Sequence, residues 1–174
     1  MKSSLNKLNT TLFVIVLSSF GLYAQGTTVN SSTIFGLPSS ETRQADSDVV
    51  ANYFDYLFKT GNFEAMAKII APDAVYSQAE GLPYGGTYVG FSEWVKMFTK
   101  AQSLFDLRIE EEPNYFTSTT KPGIFIKFKI KCKSKKSGKE ISMLITEYFE
   151  VKDGLIIAIR PYYFDTKSFV EFLN

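Results

Sequence analysis

Two carboxylates are the residues best placed for chemistry. Glu147 lies in the series Ile141, Met143, Ile145, Glu147, Phe149 and Val151, alternate residues that share one strand face, and it is the only charge on that face. A carboxyl removed from water among apolar side chains has its pKa raised. A raised carboxyl suits a general base or a neutral hydrogen-bond donor near pH 7. The competing reading is that Glu147 ends its strand, reaching solvent or pairing with a lysine. Asp165 shares a strand phase with Ile157, Ile159 and Tyr163 and so can face the same interior. It also stands just before a helix, where an aspartate accepts backbone N–H bonds as an N-cap. Around these carboxylates, Tyr53, Tyr76, Tyr84, Trp94 and Tyr163 carry polar tips on aromatic bodies, and Phe128 adds an apolar wall. Such groups orient a ligand in an apolar pocket, or they are core residues with their polar atoms satisfied.

The chain contains no histidine. That excludes a Ser-His-Asp triad, a Cys-His dyad and any histidine-ligated metal site. No metal and no cofactor is expected. Acid–base work falls to carboxylates, tyrosines and lysines. Cys132 is the only cysteine, so an intrachain disulfide is impossible. Stability must therefore come from burial, and 16 phenylalanines and 10 tyrosines supply the means. The 19 basic and 18 acidic residues nearly cancel, which does not favour nucleic acid as a partner.

The first residues read as a secretory signal peptide. Lys2 and Lys7 give a positive start, an apolar run begins at Leu12 and continues through Leu22, and Ala24 supplies a small residue before Gln25. That run is too short to span a bilayer, so no stable membrane anchor is expected after cleavage. The expected organisation is a signal peptide at 1–24, a flexible Ser/Thr-rich leader at 25–43, and one domain at 44–174. The expected location is periplasmic or secreted.

Behind the candidate residues stand the elements that must position them. Asp46 or Ser47 is expected to cap a helix bearing the stripe Val49, Val50, Tyr53, Phe54, Leu57 and Phe58, which Gly61 ends. Asn62 caps a short second helix that buries Phe63, Met66, Ile69 and Ile70, and Pro72 stops it. A strand at 74–78 leads to a loop at 80–86, which is either a lid or a plain connection. Ser92 then caps a third helix with Trp94, Val95 and Phe98 inward. From Leu107 onward the period becomes two, with a break at Pro113-Asn114. Ile126, Phe128, Ile130 and Cys132 alternate with Lys127, Lys129, Lys131 and Lys133. This lysine row is either a basic patch or the solvated face of a strand. A turn at 134–139, a returning strand, an Asp153-Gly154 hairpin, a last strand at 155–164 and a helix at 166–173 complete the order.

The Gly61-Asn62 turn, the PDAVY strand at 72–76, the GGTYVG segment at 85–90 and the PYYFDT ending at 161–166 together resemble the NTF2-like superfamily, and SnoaL-like proteins above all. The resemblance implies an α+β cone, with a curved antiparallel sheet and N-terminal helices packed on its concave face. Its chemistry carries over poorly. The ketosteroid isomerases' catalytic aspartate falls on Gln78 and their first-helix tyrosine on Phe54. Their second acid falls near Thr146 or Glu147. The Arg and Asp of limonene-epoxide hydrolases fall on Phe128 and Ile130. The cyclases' pocket aspartate is answered only by Asp165, and their histidine by nothing. The resemblance therefore implies an exported domain that binds a small, largely apolar molecule in its cone. Two alternatives stay open: a carboxylate-dependent isomerase, cyclase or lyase using Glu147 with Asp165, and a homodimeric interaction module.

Overall fold

The computed structural model describes residues 38–119 and 121–174. The expected signal peptide at 1–24, and the leader as far as residue 37, lie outside the described residues.

The first helix, α1 (Ser40–Phe54), starts six residues before the expected cap at Asp46. Ser39 is the actual cap, its Oγ accepting from the Thr42 N–H at 3.1 Å, so the expected leader ends earlier than residue 43. The chain continues without a break into a π-helical segment, Asp55–Thr60, and Gly61 closes it in the left-handed conformation at φ +63°. The wider winding turns Leu57 and Phe58 toward the same interior as Tyr53. Helix α2 (Phe63–Lys68) is capped by Asn62 as expected, Oδ1 accepting from Ala65 N–H at 3.0 Å. Phe63, expected to be buried, stays partly exposed at the edge of the Trp94 and Phe98 rings. Pro72 does not stop this helix. It lies inside strand β1 (Ile70–Gln78), where the pairing with β6 shifts between Ile70 and Val75. A proline has no N–H to give a ladder, which accounts for the irregularity there.

Strand β2 (Gly86–Val89) folds back on β1 and runs directly into α3 (Gly90–Leu104). Ser92, the expected cap, sits inside the first turn of α3. The junction depends instead on Gly90, at φ +78°, where a Cβ would lie 2.7 Å from the Pro72 carbonyl oxygen. Four long strands follow: β3 (Phe105–Thr117), β4 (Ile124–Ser134), β5 (Glu140–Lys152) and β6 (Leu155–Tyr163). The β3 register shifts next to Pro113, at the expected break. Asp153 at φ 52° and Gly154 at φ 76° make the tight β5–β6 turn, as an Asp-Gly pair favours. Helix α4 (Thr166–Leu173) ends the chain.

The sheet order is β2-β1-β6-β5-β4-β3, curved and unclosed. Neighbours run antiparallel except β1 and β6, which are parallel. The expected antiparallel sheet is therefore mixed. Hydrophobic alternation places residues on a face but carries no information on the direction of the neighbouring strand, and this is why the parallel pair was missed. Ile126, Phe128 and Ile130 of β4, Ile145 and Phe149 of β5 and Ile159 of β6 are buried on the apolar face of the sheet. Helices α1 and α3 pack against that sheet. On the opposite face, Lys131 pairs with Glu140 at 2.6 Å and Lys129 with Glu111 at 3.6 Å. Two lysines of the row are thus paired across the strand face, and such exposed pairs add little stability.

Candidate functional site

A cavity of about 480 Å³ opens between the helices and the sheet. Its walls are mostly apolar: Leu57 and Phe58 from the π-helical segment, Met97, Phe98 and Ala101 from α3, and Phe128, Ile130 and Ile145 from the sheet. Glu147 is among the lining residues. It shares the phase of Ile145 and Phe149, opposite Ile126 on β4 and Pro161 on β6. The residue as a whole is half-buried and lines the cavity. Among the described residues no hydrogen bond or ion pair engages its carboxyl. Burial alone pushes this carboxyl up to about 8.

The expected aromatic residues converge on the same space. Tyr53, Tyr76, Tyr84, Trp94, Phe128 and Tyr163 all line the cavity. Burial lifts the Tyr53 and Tyr76 phenols well above their ordinary range, and the nearby Glu147 charge adds to the shift of each. Tyr163 is raised in the same direction, by burial first, with a smaller contribution from Glu147. Three phenols therefore surround one carboxyl, and all three stay protonated at neutral pH. Tyr53 is 2% exposed, held edge-on to Phe149 at 5.4 Å and to Trp94 at 6.2 Å. The Trp94 ring is itself clamped between Phe91 and Phe98, nearly parallel to both. Its Nε1 is buried and makes no hydrogen bond among the described residues.

Gln78 was noted in the sequence only for the acid it lacks. In the structure it is the centre of a polar chain. Tyr84 and Tyr163 hydroxyls meet at 3.1 Å, Tyr163 Oη donates to Gln78 Oε1 at 3.3 Å, and Gln78 Nε2 donates to Tyr76 Oη at 3.2 Å. The signal was available: Ala74, Tyr76 and Gln78 alternate in one phase, so Gln78 is a polar residue on an inward face, as Glu147 is. Phe54, counted as the first-helix position, is buried but does not line the cavity, and Tyr53 beside it does. The rim could not be anticipated. There Lys135 Nζ donates to the Gln102 carbonyl at 2.7 Å and lies 3.2 Å from Asp106. Gln102 comes from α3, Asp106 from β3 and Lys135 from the turn after β4.

Asp165 is not brought to the cavity. It is exposed and caps α4: Oδ1 accepts from Ser168 N–H at 2.9 Å and Oδ2 from Ser168 Oγ at 2.6 Å. The Ser168 hydroxyl and N–H hold its carboxyl below the usual range. Asp165→Ala should therefore lower the melting temperature by thermal denaturation while leaving cavity binding unchanged; lost binding with intact stability would contradict the capping role. The 80–86 loop is not an open lid either. Leu82 and Tyr84 are buried, and a Cβ at Gly85 would run into the Ala79 carbonyl.

A profile of the SnoaL-like domain matches residues 50–159. The chain belongs to the SnoaL-like domain family. Solved structures agree on the fold of this SnoaL-like chain. An NTF2-like protein from Burkholderia xenovorans LB400 is 17% identical, with a TM-score of 0.68 over 75% of this chain and 97% of its own. TerC co-crystallised with polyporic acid is 13% identical, with a TM-score of 0.65 over 74% of this chain and 98% of its own. A protein from Xanthomonas campestris pv. campestris, provisionally assigned as a polyketide cyclase, is 15% identical, with a TM-score of 0.63 over 76% of this chain and 98% of its own. At these identities the likeness shows the fold alone. A search among curated proteins gave no significant match.

Proposed function

We propose that the cavity binds a small, largely apolar molecule with its oxygen-bearing end toward Glu147, and that Glu147 exchanges a proton with it, as an isomerase or cyclase requires. One observation carries this reading: a carboxyl without a partner among the described residues, raised to about 8, opens on a cavity walled by apolar side chains and phenols. A buried carboxyl is costly unless paired, so retaining one that faces the cavity points to use there.

The chemistry follows from the groups present. Ionised Glu147 takes a proton from a carbon next to a carbonyl. The C–H bond breaks, an O–H bond forms on Glu147, and the electron pair moves onto the carbonyl oxygen. Phenol O–H groups stabilise that developing charge in a site largely removed from water. Return of the proton to a different carbon isomerises the molecule. Attack of the carbanion on a second carbonyl closes a ring. The neutral form of Glu147 predominates at pH 7, so the reactive fraction rises as pH climbs through about 8.

Proton exchange tests this directly, with 2-tetralone as the probe. Deuterium incorporation from D2O is followed by NMR in the wild type and in Glu147→Gln. The expected result is enzyme-dependent exchange that increases between pH 7 and 9 and is lost in the variant. Binding of 2-tetralone with no exchange above the buffer rate would leave a binding protein and overturn proton transfer. Absence of binding by this ring compound would remove the reading altogether.

A further inference from the structure

The polar chain in the cavity has a direction. A tyrosine hydroxyl has one proton to give. Tyr163 gives its proton to Gln78 Oε1, so it must accept from Tyr84. Gln78 Nε2 then gives to Tyr76 Oη. Every bond points the same way, from Tyr84 through Tyr163 and Gln78 to Tyr76. The chain ends on Tyr76, whose own proton finds no acceptor among the described residues. Tyr76 is only 8% exposed and lines the cavity, and so is Gln78. In a site of low polarity, successive bonds pointing the same way polarise one another and strengthen the last donor.

We infer that the Tyr76 hydroxyl is the donor that receives the ligand's oxygen, and that Gln78 is the positioning residue that fixes its direction. The inference rests on the proposed reading of the cavity and names the chemistry it selects. Tyr53 supports the choice, since its hydroxyl is also without an acceptor among the described residues and lies in the same cavity. Beside the Glu147 carboxyl, the polar end thus offers phenol donors where it meets the ligand. A carbonyl, quinone or lactone oxygen accepts them with no proton of its own to place. An alcohol at the same point brings a proton that must find an acceptor. A hydrocarbon leaves the buried donors unmatched, and sites built to donate discriminate strongly against that loss.

The amide of Gln78 decides the direction. Turned end for end, it would accept from Tyr76 and donate to Tyr163, and the cavity donor would be lost.

The experiment uses 1-tetralone carrying a 13C carbonyl. Its dissociation constant is measured by NMR titration, and its bound carbonyl stretch by isotope-edited infrared spectroscopy. In the wild type the stretch is expected well below its value in an apolar solvent, and 1-tetralol is expected to bind more weakly than 1-tetralone. In Tyr76→Phe the stretch should move back toward the apolar value and affinity should fall roughly tenfold. In Gln78→Met, with Tyr76 intact but no longer held, the stretch should broaden and move part of the way. Melting temperatures of both variants exclude unfolding as the cause. A stretch and affinity unchanged in Tyr76→Phe would overturn the inference. If the wild type does not bind 1-tetralone, the cavity reading and this inference both fall. If the carbonyl shift is present but proton exchange is absent, only the proton-transfer reading falls.

Discussion

Glu147→Gln is expected to flatten the pH dependence of stability and to leave the protein more stable than its parent above pH 8. The parent carboxyl titrates near 8 when folded, against an ordinary value of 4.5. Between those values the folded chain holds a proton that the unfolded chain has released. The contribution of Glu147 to stability is therefore fully present below about pH 4.5 and is lost as pH rises through the folded value. The full effect is on the order of 3–5 kcal/mol, because one pKa unit corresponds to about 1.4 kcal/mol. Few other groups blur this window. Glu140 and Asp165 have lowered carboxyls, so their contribution is lost only as pH falls through the acid range. The buried phenols are raised and ionise only well above it. Urea denaturation at pH 5, 7 and 9 measures the slope in parent and variant. A parent whose stability is constant over that range would show that Glu147 is hydrated and ordinary.

The second large effect is expected at the far end of the chain. Phe169→Ala should destabilise the fold by about 3–5 kcal/mol, the usual cost of deleting a fully enclosed phenyl ring. Phe169 has no exposed surface. It stacks on Tyr163 at 5.1 Å, meets Phe105 edge-on at 5.5 Å and lies 5.6 Å from Phe172. Its loss also removes the platform beneath Tyr163, so ligand affinity should fall with stability. Phe164→Ala, five residues earlier and 83% exposed, serves as the control and should change stability by less than about 0.5 kcal/mol. Calorimetry on the two variants separates them. Equal, small changes would mean that α4 is not part of the core.

Much of this arrangement could be read from residue order. Alternation placed Glu147 inward, the Asp153-Gly154 pair fixed a hairpin, and the stripe ending in Leu57 and Phe58 predicted a helix facing the core. What could not be read has a physical cause in each case. The six-residue π-helical segment uses the same residue types as an α-helix, and only packing widens it. The parallel pairing of β1 with β6 depends on where a distant strand lands. Asp165 had the phase for the interior, but the helix that follows claimed its carboxylate. Gln78 reads in the sequence only as a missing acid, because one of the two hydroxyls it bridges, that of Tyr163, lies 85 residues away and meets it only in the fold. Lys135 reaches the rim only because a turn delivers it there.

The pairing of β6 between β1 and β5 also sets an order on how the protein can be made. The meander from β3 to β6 joins strands that follow one another in the chain, and such pairs form early and locally. β1 has only β2 beside it until residues 155–163 have been synthesised. During elongation from the ribosome, the N-terminal half therefore waits with an unpaired strand edge, a state open to mispairing with other chains. The last twenty residues act as the fastener between two halves made at different times. A nascent chain arrested before residue 155 should already hold α1 to α3 yet still lack β6, α4 and the wall that completes its cavity.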